Sequence, residues 1–168
     1  ADKEHPALTD LIELAAASGG DAEREAVLPY LDQPKSGKAA LLALRSLGHA
    51  DDADRLRPFF CGTDGSLRAP AIDIAARLGG PRILADIMDA LVEKPSDDVR
   101  TAATRALSVF RPLWPPELVA RAIKSMPVEG ETRRSMIELI YAGSAWDADP
   151  SPAVGALTSL SVAERAML

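Results

Sequence analysis

The sequence predicts an all-α fold assembled from repeated helical pairs, and three observations lead to this prediction. Apolar residues recur at intervals of three and four along most of the 168 residues, which is the spacing of one helix face. Aromatic residues make up only 4%, so the core must be built from Ala, Leu, Ile and Val. One helical pattern recurs at a near-constant interval, and no run alternates apolar and polar residues as a strand would.

The clearest helix lies at residues 96–110. Ser96 or Asp97 can cap its first turn with a side-chain oxygen, and the acidic pair Asp97-Asp98 lies at the positive end of the helix dipole. The small side chains on its apolar face would let a neighbouring helix approach closely. That face comprises Val99, Ala103, Ala106, Leu107 and Phe110.

Three further copies of this pattern are found at residues 36–48, 66–79 and 132–141. The equivalent positions in the four copies are Gly37, Arg68, Arg100 and Arg133. Their successive separations are 31, 32 and 33 residues. A period in this range, with a helical pattern in each copy, indicates stacked helical pairs.

The earlier helices follow from their own signals. We expect helices at about residues 6–18, 22–32, 37–47, 53–60 and 67–78. The pair Gly19-Gly20 ends the first, and the turn Gly62–Gly65 separates the last two. Pro29 should bend or shorten the second helix because it removes a backbone donor, and Pro58 should kink the fourth.

The later helices are predicted in the same way, at about residues 81–93, 96–110, 115–126, 132–141 and, weakly, 161–167. Pro81 and Pro116 occupy first-turn positions that proline tolerates. We expect a single domain, residues 1–168, divided into one unit per helical pair. The approximate units are residues 6–20 (partial or cap), 21–49, 50–80, 81–111, 115–143 and 150–168 (terminal cap).

The pattern resembles the HEAT-like (armadillo-type) helical repeat family over roughly residues 21–143. The residues that carry the resemblance include Asp98-Val99-Arg100, Ala102-Ala103, Ala106-Leu107, Leu67-Arg68 and the endings Leu47-Gly48 and Leu78-Gly79. The resemblance implies a right-handed α-solenoid of about four to five helical hairpins, with the second helix of each hairpin on the concave face. It also implies that Arg68, Arg100 and Arg133 contact the adjacent repeat. The chain departs from the family at Gly37, which replaces the usual basic residue, at Pro70, and in the fourth copy, which lacks the alanine pair.

Composition weighs against several functional classes. The formal net charge of −6 disfavours nucleic acid as a partner, because phosphate binding needs concentrated Lys and Arg. The single Cys61 and the two histidines, His5 and His49, give no metal-ligand pattern, so neither a metal nor a cofactor is expected. No apolar run is long enough to span a bilayer. A cytoplasmic location is expected, and a start at Ala1 without Met is equally compatible with removal of an export signal.

No catalytic constellation is visible, so we expect no enzyme and no small-molecule ligand. The chain has neither a Gly-x-Ser-x-Gly elbow nor a glycine-rich phosphate loop. Two alternatives stay open. An enzyme-accessory protein such as a bilin lyase-like subunit would need a deep apolar groove. A DNA-glycosylase-like nucleic-acid binder would need a basic groove, and Asp147 and Asp149 beside Trp146 oppose that.

The function predicted instead is a protein-interaction scaffold that binds a partner segment on the concave face. Positions one, five and nine residues past the repeat arginine should be least tied to packing. The predicted partner-binding residues are Lys38, Leu42, Arg45, Asp73, Arg77, Thr101, Arg105, Arg134, Glu138 and Trp146. The pairs Asp73–Arg77 and Arg134–Glu138 could instead bind each other at i, i+4. Trp114 and Trp146 could each cover an edge of the stack or anchor a partner.

Overall fold

The computed structural model describes residues 7–62, 64–93, 95–141 and 162. Every regular element in that part of the chain is helical, which confirms the all-α prediction. The chain divides into two compact units, Ala1–Ile83 and Leu84–Leu168. Each unit is described by itself below, and the expected single domain stays a prediction.

The first unit contains five α-helices in its described residues. They are α1 (Leu8–Ser18), α2 (Asp21–Val27), α3 (Gly37–Leu47), α4 (Ala53–Phe60) and α5 (Gly65–Gly79). One 3₁₀ turn follows α2 at Leu28–Tyr30, a second precedes α4 at Ala50–Asp52, and a third follows α5 at Gly80–Ile83. Pro29 has the predicted effect, because the α-helix stops at Val27 and the chain tightens into the first of these turns.

The second unit contains α6 (Leu84–Val92), α7 (Asp97–Val109), α8 (Pro116–Ser125) and α9 (Glu131–Tyr141), with a 3₁₀ turn at Arg111–Leu113. The predicted start of α6 at Pro81 is wrong, because residues 80–83 form the tighter 3₁₀ turn first. Ser96 occupies the N-cap of α7, but its side chain makes no capping hydrogen bond there. Its backbone oxygen accepts the bond from the Arg100 N–H instead, at 2.9 Å. The predicted helix at residues 161–167 lies outside the described residues apart from Val162, which is helical.

The main helix contacts within each unit join neighbours along the chain or helices two positions apart. In the first unit α3 contacts α1, α2 and α5, and α4 lies along α5. In the second unit α6 contacts α7 and α8, and α7 contacts α9. The core between these helices is almost entirely aliphatic, as the composition predicts. Its largest fully buried side chains are Leu41, Leu44, Leu56, Phe60, Ile72, Ile74, Ile83, Leu84, Ile87, Met88, Leu91 and Leu107.

Two of the repeat arginines fasten the two helices of their own pair. Arg68 Nε donates to the Phe60 carbonyl at 2.6 Å, and Arg133 Nη1 donates to the Pro127 carbonyl at 2.9 Å. Phe60 is the last residue of α4, so Arg68 satisfies a carbonyl that this helix leaves without an internal partner, whereas Pro127 lies two residues past the end of α8, in the turn before α9. Arg100 differs, since its Nη2 pairs with Asp97 Oδ1 at 2.9 Å on the same helix. The resemblance predicted contacts to the adjacent repeat, and these three contacts lie within the pair or the helix.

Candidate protein-binding surface

Helix α3 presents one narrow stripe to solvent. Four of its residues are exposed, and the other seven are buried. The exposed residues are Lys38, Leu42, Arg45 and Ser46. Leucine is normally buried in a helix of this kind, yet Leu42 keeps 42% of its surface accessible. The stripe therefore consists of an apolar side chain with a cation on either side, spaced at i, i+4 and i+7 so that the three share one face.

The α3 stripe carries positive charge without compensation from its own helix, because α3 contains no Asp or Glu, and Asp64 before α5 is a carboxylate that interacts electrostatically with Lys38. Arg77 on α5 adds a further cation at the end of the stripe. Its Nη2 donates to the Leu44 carbonyl at 3.2 Å and also to the Arg45 carbonyl. These carbonyls belong to the last turn of α3, where a cation is favoured by the helix dipole. Asp73, one turn earlier on α5, is half-buried.

Two arginine contacts of the first unit span 32 residues, a separation close to the period of the sequence pattern. Arg77 reaches the carbonyl of Arg45, 32 residues earlier, and Arg82 Nη2 reaches the carbonyl of Ala50, also 32 residues earlier, at 2.7 Å. Arginine side chains of one helical pair thus bind the backbone of the pair before it.

The second unit shows the same interval in a side-chain pair. Arg121 on α8 binds the Asp89 carboxylate on α6, 32 residues earlier. Both side chains are substantially exposed, so the pair contributes little to stability, roughly 0–1 kcal/mol. Like the two arginine contacts of the first unit, it joins residues 32 positions apart.

The predicted binding residues of the second unit are exposed on α7 and α9. Thr101 and Arg105 lie on α7, and the Thr101 hydroxyl donates to the Asp97 carbonyl at 2.8 Å. Arg134 and Glu138 lie on α9. Arg134 pairs with Glu131 at 3.0 Å, three residues earlier, where the sequence suggested a pair with Glu138.

The interpretations of the two tryptophans can be compared with the structure only at Trp114. Trp114 is half-buried, and its indole N–H donates to the Leu107 carbonyl at 3.1 Å, so the ring is fixed beside the end of α7. This contact favours the interpretation of Trp114 as a cover over apolar surface. Trp146 lies outside the described residues.

The remaining features of the described residues concern metal ligands, bilayer-spanning helices and the thiol of Cys61. That part of the chain contains no group of three or more His, Cys, Asp or Glu side chains placed to hold a metal ion. Among the same residues, no helix has the length and apolar character required to cross a bilayer. Cys61 is exposed at the end of α4.

No family model, no curated protein and no solved structure matches this chain. The resemblance to HEAT-like repeats therefore stays a prediction, and the function must be argued from the surfaces themselves.

The strongest electrostatic feature of the first unit was missed by sequence reasoning. Arg24 on α2 binds Asp52 through two hydrogen bonds of 2.7 Å, Nε to Oδ2 and Nη2 to Oδ1. The backbone N–H of His49 donates to the same carboxylate at 2.9 Å. Burial by itself raises the pKa of Asp52, but the bonds from Arg24 and His49 outweigh it and hold the pKa below its ordinary value. All three donors to this carboxylate come from the chain itself, so we assign Asp52 a structural role.

Proposed function

We propose that this chain is a protein-binding scaffold made of stacked helical repeats, and that the α3 stripe binds an acidic, apolar segment of a partner protein. One observation carries the proposal. Lys38, Leu42 and Arg45 are exposed side by side on a helix whose remaining surface, apart from Ser46, is buried. The helix thus presents to solvent an apolar side chain that can anchor a partner segment, with a positive charge on either side of it.

The contact pattern within each unit supports the repeat component of the proposal. Hydrogen bonds and ion pairs connect residues 32 positions apart in both units, which matches the 31–33-residue period of the sequence pattern. Repeats that contact only their neighbours create extended surfaces whose exposed residues are not needed for packing. Such a surface can be adapted to a protein segment without loss of the fold.

Charge supports the choice of partner. The chain carries a net charge of −6, so the cationic α3 stripe stands out against an acidic background. Arg45 and Lys38 would attract carboxylates and exclude basic segments, while Leu42 would bury an apolar side chain between them. Arginine is well suited to this role because its planar group matches the geometry of a carboxylate.

The second unit offers a related surface. Arg105 on α7 and Arg134 on α9 are exposed, with Thr101 and Glu138 on the same two helices. Since α7 and α9 pack together, these side chains extend over two consecutive helical pairs of that unit. We assign them a secondary role, because Arg134 already has an ion-pair partner in Glu131.

A peptide-binding measurement tests the proposal. The probes are fluorescent helical peptides in which glutamates flank two leucines, together with matched peptides carrying lysines in place of the glutamates. We expect the acidic peptide to bind, the basic peptide not to bind, and the affinity to fall with added salt. The double variant Lys38→Glu/Arg45→Glu should weaken binding by at least about tenfold, as expected when steering and contact charges are reversed.

Two control variants sharpen this test. Lys124→Glu changes an exposed cation on α8 by the same charge and should leave binding close to that of the wild type. Leu42→Ala removes the anchor and retains both cations, so it should weaken binding with an unchanged salt dependence. Equal binding of acidic and basic peptides, or equal losses in Lys124→Glu and the double variant, would refute the proposed role of the α3 stripe.

A further inference from the structure

Helix α1 has an exposed face that is not explained by packing within the first unit. Leu11 and Leu14 are 57% and 64% accessible, whereas Ile12 on the opposite side is buried. Asp10 and Glu13 are exposed beside the two leucines. We call these four residues the α1 face. It combines apolar surface with negative charge, and residues spaced at three and four positions lie next to each other on a helix.

The α1 face is the chemical complement of the α3 stripe. The face presents leucines with carboxylates, and the stripe presents a leucine with cations. Both are exposed within the same unit, although α1 and α3 are in contact. The α1 face and the α3 stripe are thus exposed together on two helices that contact each other, and neither covers the other.

We propose that the α1 face of one copy of this chain docks on the α3 stripe of a second copy. This inference rests on the proposed function, because it names the acidic, apolar segment that the stripe binds. Asp10 and Glu13 pair with Lys38 and Arg45 across the contact, and Leu42 packs against the two leucines of α1. Charge complementarity selects this arrangement over contact between two α1 faces, which would bring four carboxylates together.

The proposed contact joins two different surfaces, so it is heterologous. A heterologous contact leaves one free α1 face and one free α3 stripe in every dimer, and growth continues until a ring closes or a filament forms. We therefore expect a weak, concentration-dependent association that continues beyond the dimer. The association weakens as sodium chloride is raised, because exposed charges are screened.

Sedimentation velocity with paired variants tests this arrangement. The first variant, Asp10→Lys/Glu13→Lys, disrupts the α1 face and retains the stripe. The second, Lys38→Glu/Arg45→Glu, disrupts the stripe and retains the α1 face. Each should be monomeric alone at concentrations where the wild type associates. An equimolar mixture should associate again, because the intact α1 face of the second variant complements the intact stripe of the first, and the two charge-reversed surfaces also complement each other.

Several outcomes overturn the inference. They are a wild type that stays monomeric up to millimolar concentration, an association that either variant retains, and a mixture that shows no complex. Lys124→Glu should associate like the wild type.

Peptide binding separates this inference from the proposed function. Disruption of the α1 face should leave binding of the acidic probe peptide intact. A monomeric wild type that still binds this peptide therefore refutes self-association and leaves the proposed function standing. An associating wild type whose stripe variant still binds the peptide refutes the proposed function instead. If the α1 face is covered by another occupant, such as a basic protein segment, the wild type is monomeric and the inference fails.

Discussion

Arg24 and Asp52 form a two-point ion pair that ties α2 to the turn before α4, with Asp52 only 1% exposed. Replacing Arg24 with Met should lower the free energy of unfolding by about 3–5 kcal/mol, because it leaves a buried carboxylate without its counter-charge. Urea unfolding followed by circular dichroism measures this change. The double variant Arg24→Met/Asp52→Asn should lose less than Arg24→Met alone, because it removes both charges and keeps an acceptor for the His49 N–H.

Comparing Arg24→Met with Arg24→Met/Asp52→Asn separates two explanations for the lost stability, which are the uncompensated charge of Asp52 and the missing packing of the Arg24 side chain. If the loss came only from missing packing of the Arg24 side chain, the double variant would be at least as unstable as the single one. A loss below about 1 kcal/mol for Arg24→Met would contradict the assignment of a desolvated pair.

The same pair predicts how stability responds to acid. The pKa of Asp52 is lowered in the folded chain, so its stabilising contribution is complete above the unfolded pKa of about 3.9. It is lost as the pH falls from the unfolded pKa through the folded pKa, because over that interval the unfolded state binds a proton that the folded state does not. The Asp52→Asn variant lacks this titration. The stability difference between the wild type and Asp52→Asn should therefore shrink from about pH 5 downward, as measured by urea unfolding at a series of pH values. A difference that stays constant down to about pH 3 would contradict the prediction.

Local signals allowed much of the first unit to be predicted from the sequence. The bounds of α3 and α4 agree with the predicted 37–47 and 53–60, because each helix has a readable stop in Gly48 or Cys61-Gly62. The exposure of Lys38 and Leu42 also follows from the repeat alignment, since a 3.6-residue period fixes which side of a helix faces the core. The side that faces solvent was therefore predictable, whereas what binds there was not.

Features that depend on distant contacts were missed. Arg24 and Asp52 are 28 residues apart, and both residue types are usually exposed, so no local pattern indicated a buried pair. The late start of α6 has a local cause instead. Gly80 adopts a φ of +56° after α5, and the chain passes through a 3₁₀ turn before Leu84 begins the α-helix. Propensity correctly placed Pro81 near a helix start but could not reveal the turn.

Gly79 and Gly65, at the two ends of α5, provide a matched pair for testing helix packing. A Cβ added at Gly79 would lie 2.7 Å from Cβ of Ala53, whereas one added at Gly65 would meet nothing within 4 Å. Gly79→Ala should lower the free energy of unfolding by about 1–3 kcal/mol, because α5 and the start of α4 would have to separate. Gly65→Ala should raise it by up to about 1 kcal/mol, since alanine restricts the unfolded chain. Thermal and urea unfolding measure both changes.

A compensating variant checks the cause of the Gly79 effect. Ala53→Gly removes the atom that the new Cβ would meet, so Ala53→Gly/Gly79→Ala should recover part of the stability lost in Gly79→Ala. Additive losses in the double variant would show that the close approach to Ala53 is not responsible.

Gly37 departs from the repeat pattern for a steric reason, which yields a prediction opposite to the family resemblance. A Cβ at Gly37 would lie 2.6 Å from the Leu31 carbonyl oxygen, six residues earlier. Arg133 lies six residues after Pro127, so Pro127 occupies the position that corresponds to Leu31. The Arg133 side chain reaches the Pro127 carbonyl, whereas at Gly37 the backbone itself approaches the Leu31 carbonyl. Restoring the basic residue with Gly37→Arg should therefore destabilise the chain by more than about 1 kcal/mol, because two backbone segments must move apart.

Arg68→Met should also destabilise the chain, by about 0.5–3 kcal/mol, through loss of the bond to the Phe60 carbonyl. Urea unfolding of the two variants gives both values, and a Gly37→Arg variant more stable than the wild type would contradict this account of the repeat.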